Sequence, residues 1–367
     1  DLIYHPLTRH LHLTGDSAAH NSILTECSSG TSSTEKSSGL KASLSCELGG
    51  VTPWIVVPDY IRANADQPRV CWTEANLNEQ AKHLVSRVQE LETASGMTPQ
   101  VLVLAREWEH KQKFLDYVRK AVIEIPSSAP YYEGHKERFE RFVMEYGEDA
   151  EILKTPILDG KGTYNFALLH VKMGPGNKGG KHYALQHDAL TPVLSIVELD
   201  LVHRSKSGAI TSITKTNIAE RLLSVASGFC NNNIHGSLSC TIICPPTVPH
   251  DTLDKAVSEL QYGQIAINIW TAVGFNAPHA TWGTYPGLYK PKAPGSGCGV
   301  IGNTALFPDY QILKSVVRAP WINALQMKGD LVSSFMYELL TIITRKRTTV
   351  GRLLGIAGLL ISRLKFW

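Results

Sequence analysis

CELGGVTPWIVVPD, residues 46–59, carries a glycine pair into Trp54, Ile55, Val56 and Val57 with no polar residue among those four. A strand with one wet face alternates apolar and polar side chains. An unbroken apolar run instead suits a strand buried on both faces, as in a parallel sheet. Parallel neighbours need crossovers, so helices should flank this strand. Residues 73–93 supply one: Leu77, Ala81, Leu84, Val85, Val88 and Leu91 recur at spacings of three and four, a single face of an amphipathic helix. Ser95 and Gly96 stop it.

The alternation extends both ways from that unit. Upstream, residues 2–13 read as a strand with a break, and Thr14, Gly15 and Asp16 form a tight turn into a helical start. Residues 27–45, crowded with Ser, Thr and Gly, read as a surface loop. Downstream come strands at 101–104, 193–199, 239–244 and 265–270 and helices at 112–123 and 251–262. Strands alternating with helices predict an α/β fold with doubly wound parallel sheets. Beyond Pro291 the pattern weakens into Gly/Pro loops, and residues 332–367 become a basic, apolar, helix-forming tail.

Composition removes several function classes. The 367 residues are 43% hydrophobic and 19% charged with a net charge of +3, and no Lys/Arg run interleaves with aromatics, so nucleic acid is not an expected partner. Seven scattered cysteines read as free thiols of a reducing, intracellular compartment. The longest apolar run, residues 353–361, is too short to span a bilayer. The chain opens on Asp1 without a charged leader or cleavage site, which supports no targeting expectation in either direction.

Five segments in order resemble the aldehyde dehydrogenase superfamily, in a bacterial-type branch: the turn at Thr14 and Gly15, ELGG at residues 47–50, the helix at 73–93, ALTPVLSIVELD at 189–200 with Asp188 before it, and GQIAIN at 263–268. GSLSCTIICPP and SGCGVIGNTALF resemble later segments. The resemblance implies an aldehyde dehydrogenase-like fold whose nucleotide-binding domain is incomplete, since the family's first βα units precede the TG turn. It divides the chain into a remnant of the NAD(P)-binding domain at 1–47, a catalytic-type α/β domain at 48–297 and a C-terminal segment at 298–367. It also implies oxidation of an aldehyde to an acid with NAD or NADP.

That chemistry needs a thiolate to attack the aldehyde and a carboxylate to activate water. Glu47 stands at the family's base position, although an acidic residue at a strand end is also ordinary decoration. The nucleophile's window, residues 92–100, reads ETASGMTPQ and holds no cysteine; Gly96 falls at the nucleophile and Ser95 is the nearest hydroxyl. Cys46 adjoins Glu47 but points to the opposite strand face. Cys71, Cys230, Cys240, Cys244 and Cys298 belong to other segments, and no cysteine or histidine spacing predicts a metal site.

For the cofactor, the resemblance implies roles for Thr14, Gly15, Asp16, Leu48 and Asp188. A glycine turn opening a helix suits a phosphate, but Asp16 adds like charge there and reads equally well as an N-cap. Asp188, one methylene shorter than the family's glutamate, implies a weaker grip on a ribose. An incomplete sheet leaves a parallel edge to be covered by a second copy or a larger assembly. The tail, with Arg345, Lys346, Arg347, Arg352, Arg363 and Lys365, suits an anionic membrane surface or a terminal helix docked on its own domain. Three functions therefore stand: an aldehyde-oxidising enzyme, a catalytically inactive relative retained as a structural or interaction subunit, and a shortened membrane-surface protein whose basic tail matters most.

Overall fold

The computed structural model describes residues 2–26, 42–61, 70–89, 95–127, 133–157, 162–174, 182–202, 213–214, 216–277, 280–301 and 314–321. Asp1–Trp321 forms one compact unit. The tail lies outside the described residues, as do Cys27 and most of the 27–45 loop.

A small sheet comes first in the chain. β1 (His10–Thr14) leads through the glycine turn into α1 (Ser17–Glu26), and β2 (Ser43–Glu47) returns parallel to β1 with Thr14 opposite Glu47. The larger sheet has eight strands. Its members are β3 (Thr52–Val56), β4 (Pro99–Ala105), β5 (Ala150–Pro156), β6 (Thr163–Val171), β7 (Val193–Leu199), β8 (Ser239–Ile243), β9 (Gln264–Ile267) and β13 (Ser315–Arg318). Their order is β13-β9-β8-β3-β4-β7-β6-β5, and all pairs are parallel except β5 with β6.

The order decides where the helices go. From β3 through α2 (Glu74–Gln89) to β4 the chain moves one place along the sheet; from β8 through α7 (His250–Glu259) to β9 it moves one place the other way. Right-handed crossovers running in opposite directions put their helices on opposite faces. Accordingly α2 packs with α3 (Lys111–Glu124), and α6 (Ile218–Asn233) packs with α7. The sheet is doubly wound, and β3 at its centre is buried at every position.

The described part of the predicted α2 face is buried: Leu77, Ala81, Leu84, Val85 and Val88 are each at most 1% exposed, and Leu91 lies outside the described residues. Burying a side chain of this size stabilises by roughly 1.5–3 kcal/mol. Trp54, fully buried on β3, meets the His83 ring of α2 edge-on at 5.2 Å. Burial, with Arg87 adding to it, pushes the His83 imidazole down to about 3, so it packs as a neutral ring.

Three expectations are corrected. Residues 2–9 make turns, and only His10–Thr14 is strand. Residues 43–45, expected in the loop, are the start of β2. The strand expected over 265–270 ends at Ile267, because Asn268 turns left-handed (φ 58°) and clamps the end of β8. Its side chain accepts from Cys244 N at 2.7 Å and donates to Cys244 O at 2.9 Å. The remaining elements are α4 (His135–Tyr146), a short 3-10 turn at Gly147–Asp149, α5 (Tyr183–Gln186), α8 (Thr271–Phe275), β10 (Trp282–Gly283), β11 (Gly297–Cys298) and β12 (Val300–Ile301).

Candidate active site

Glu47 is the last residue of β2, and its backbone is held from both sides. Its carbonyl accepts from Gly15 N at 3.1 Å, and Gly297 of β11 lies opposite it in the antiparallel register. Leu48, buried behind it, donates its N–H to Ser296 O at 3.0 Å. The carboxylate Oε1 accepts from the indole Nε1 of Trp282 at 2.9 Å. Trp282 reaches that point because Gly263, the glycine of GQIAIN, lets the 283–284 backbone pass. A Cβ there would stand 1.9 Å from Gly283 O. Phe275 meets the Trp282 ring edge-on at 5.4 Å.

Of the window after α2, residues 95–98 form a tight turn, and Glu92, Thr93 and Ala94 lie outside the described residues. Ser95 O accepts from Thr98 N at 2.9 Å, and its hydroxyl accepts from Met97 N at 3.2 Å. Gly96 O accepts from Thr52 Oγ1 at 2.8 Å, and Met97 O accepts from Trp270 Nε1 at 2.9 Å. The Arg87 guanidinium sits 5.3 Å over the Trp270 ring. At Gly96 an added Cβ would meet Leu238 Cδ1 at 3.7 Å, an ordinary contact, so the backbone accepts a side chain there. Trp270 and Trp282 flank α8, so one short stretch touches both the Glu47 carboxylate and the 95–98 turn.

Asp188 closes the third side. Its carboxylate accepts from Gln100 Nε2 at 2.9 Å and from the amides of Gly50 and Leu190. Gln100, buried at the second position of β4, also donates to Gly50 O at 3.1 Å and accepts from Ala189 N at 2.9 Å. Burial pushes the Asp188 carboxyl up to about 6, against the lowering pull of those three donors and of Arg138. The side chain therefore braces the glycine pair: a Cβ on Gly49, which has φ 77°, would stand 3.1 Å from Asp188 Oδ2. Gln100 and Trp282 carry much of this geometry. Gln100 carries no local signal in the sequence.

The glycine pair, the 95–98 turn, Asp188 and Gly263 lead into the amino ends of β3, β4, β7 and β9 respectively. At the carboxyl end of β3 the Asp59 carboxylate is taken up by Cys71 N at 2.9 Å, Trp72 N at 3.0 Å and Thr247 Oγ1 at 2.9 Å.

Comparison with solved structures shows the fold. The chain superimposes on the gamma-glutamyl-gamma-aminobutyraldehyde dehydrogenase of Burkholderia cenocepacia with TM-score 0.55 and 17% identity, over 82% of this chain and 50% of that one. An aldehyde dehydrogenase of Pseudomonas aeruginosa gives 0.54 and 15%, over 84% and 52%. The NADP-dependent glyceraldehyde-3-phosphate dehydrogenase of Bacillus halodurans, solved with NADP, gives 0.52 and 16%, over 82% and 50%. The chain has the aldehyde dehydrogenase fold. It spans about half the length of these solved structures. No protein-family model and no curated protein matches it.

The positions that the resemblance implies for base and nucleophile each meet a different tryptophan flanking α8: Glu47 meets Trp282, and the 95–98 turn meets Trp270. Glu47 and the 95–98 turn both contact the α8 region. The turn has no thiol, and the Ser95 hydroxyl is committed to the turn itself. Among the described cysteines, Cys46 and Cys298 sit on the β2 face opposite the Glu47 side chain. Cys230, Cys240 and Cys244 are buried thiols pushed upward by desolvation, Cys244 to about 12.

The cofactor positions fit a dinucleotide poorly. Thr14 Oγ1 is bonded to His12 Nε2 at 3.2 Å. The Asp16 carboxylate caps α1 by accepting from Ala19 N at 2.8 Å, so it occupies the amide a pyrophosphate oxygen would take and adds negative charge there. Asp188 is spent on Gly50, Gln100 and Leu190. Gly15 would tolerate a Cβ at 3.6 Å from Leu13 Cδ1, so its position does not demand glycine. Among the described residues no group of three or more His, Cys, Asp or Glu could hold a metal ion, and no helix is long and apolar enough to cross a membrane.

Proposed function

We propose that this chain is an oxidoreductase of the aldehyde dehydrogenase type, oxidising an aldehyde to an acid with NAD or NADP, with Glu47 as its general base. The observation that supports this reading is the held carboxylate. Glu47 ends a strand pinned on both edges, one of its oxygens is fixed by Trp282 Nε1, and the residue is half-buried. A carboxylate so placed can take a proton from water adding to an aldehyde carbon, giving the hydrate whose oxidation yields the acid. Because Asp16 and Asp188 do not fit a dinucleotide, weak binding of NAD or NADP follows.

A second reading has its own observation. The turn at residues 95–98 lacks the thiol on which the covalent route depends, and a pseudoenzyme serving as an interaction subunit needs none. The two readings separate in one experiment. The full-length protein is incubated with NAD or NADP and a panel of aliphatic and aromatic aldehydes, and reduced cofactor is followed by absorbance. Turnover that falls at least about 100-fold in Glu47→Gln supports the enzyme. Absence of both turnover and cofactor binding overturns it in favour of the pseudoenzyme.

A further inference from the structure

SGCGV, residues 296–300, is unused by the proposed chemistry, yet the fold places it with care. Gly297 has φ 105°, and a Cβ there would lie 2.0 Å from Cys46 O. A Cβ on Gly299, at φ 86°, would lie 2.8 Å from Ser45 Cβ. Only glycine on both sides of Cys298 lets β11 lie this tightly on β2, and the result is that Cys298 stands directly opposite Cys46. The two sulfurs are 3.6 Å apart. Directly opposed residues of an antiparallel pair have Cα atoms about 4.5–5.5 Å apart, inside the roughly 4.4–6.8 Å that a disulfide spans. Cys46 is 3% exposed while Cys298 is partly open to solvent, so one thiol is reachable and the other lies behind it.

From this geometry we infer that Cys46 and Cys298 are a dithiol–disulfide pair, a reversible oxidation site that fastens β11 to β2 beside Glu47. The oxidant is a low-molecular-weight disulfide such as oxidised glutathione. Cys298 Sγ, as thiolate, attacks one glutathione sulfur; the S–S bond breaks, one glutathione thiolate leaves and takes up the proton, and a mixed disulfide remains on Cys298. Cys46 Sγ then attacks the Cys298 sulfur, expels the second glutathione, which takes the second proton, and closes the protein disulfide. The protein dithiol is oxidised by two electrons and one oxidised glutathione is reduced to two thiols. Burial and the adjacent Cys46 thiol push Cys298 up to about 12, so thiolate is scarce and closure is slow at neutral pH. The bond fixes β11 in a register where Gly297 faces Glu47 and Ser296 O holds Leu48 N, so the oxidised state locks the ELGG strand.

The test uses the reduced full-length chain, incubated with oxidised glutathione at mildly alkaline pH, trapped with an alkylating agent and mapped by mass spectrometry without reduction. The expected product is one linked peptide pair containing Cys46 and Cys298, released by dithiothreitol. Cys46→Ser should accumulate the glutathione adduct on Cys298, and Cys298→Ser should leave Cys46 unmodified. Circular dichroism and thermal melts of the reduced variants establish that both fold. Recovery of both residues as free thiols, as two separate adducts in the wild type, or linked instead to Cys27 overturns the proposal.

Discussion

Asp188 titrates against the fold that holds it. In the unfolded chain its carboxyl ionises near 3.8, whereas burial raises it to about 6 in the native state. The native protein therefore binds this proton more tightly, and the stabilisation is complete below about 3.8 and is lost as pH rises through about 6. At about 1.4 kcal/mol per pH unit the loss amounts to at most ~3 kcal/mol. Asp188→Asn removes the titration. Chemical denaturation of both proteins should show the variant's stability relative to wild type improving by up to about 3 kcal/mol from pH 4 to pH 8. A pH-independent difference would refute the assignment. Trp282 allows a second test at this scale. Trp282→Phe keeps most of the ring but removes the donor to Glu47, and should cost about 1–3 kcal/mol in urea unfolding. In a double-mutant cycle with Glu47→Ala the two losses should fall short of additivity by at least about 0.5 kcal/mol. Additive losses would mean the bond contributes nothing. The motif at 47–50 made Glu47 readable in the sequence, and the ambiguity at Asp16 resolves to a cap because its partner is only three residues away. Gln100 was unreadable, since its partners Gly50 and Asp188 are remote in sequence and nothing local marks a glutamine that bridges them.

At the scale of elements, legibility followed burial on a regular period. The buried β3 and β4 and the one-faced α2 were read correctly, because each writes its environment as a run or a spacing of apolar residues. The edge strand β5 escaped, since only Thr155 of its seven residues is buried and no apolar run results. Helix α4 escaped because only Phe139 and Phe142 of its residues are buried, against an otherwise charged segment. Helix α6 was readable in principle: Ile218, Ala219, Leu222, Leu223, Ala226, Phe229 and Cys230 keep the helical spacing through Gly228 and the asparagines at its end. Three glycines test how elements are brought together. Gly263→Ala and Gly297→Ala each drive a Cβ into backbone, at 1.9 and 2.0 Å, and should lower the melting temperature by several degrees or prevent folding. Gly96→Ala meets only Leu238 Cδ1 at 3.7 Å and should change stability by less than about 1 kcal/mol. Equal effects at the three positions in a thermal melt would contradict these close approaches.

At the scale of the molecule, the eight-stranded sheet closes at one edge with β13, which pairs parallel to β9 over Ser315–Arg318. Beyond it the Trp321 ring meets Trp72 edge-on at 5.0 Å, and Trp72 in turn meets Trp108 at 5.1 Å and Phe114 at 6.0 Å. The last strand and the last aromatic of the compact unit thus come from residues 315–321, in a region the sequence pattern left as weak loops. Nothing local announces β13, because SVVR is short and half exposed and its pairing partner lies about fifty residues earlier. A chain ending at Trp321 retains every described contact of the first unit and should unfold cooperatively. Ending at residue 313 removes β13, the edge-on Trp321–Trp72 contact and Lys314, whose Nζ donates to the carbonyls of Val257 at 2.7 Å and Ser258 at 3.0 Å. It exposes β9 as an unpaired edge and opens the aromatic cluster, so the urea midpoint should fall and exposed edge strands should promote aggregation. If the chain ending at Trp321 is as unstable as the shorter one, residues beyond 321 are integral to the first unit. If both truncations match the full chain, β13 is not the strand that closes the sheet.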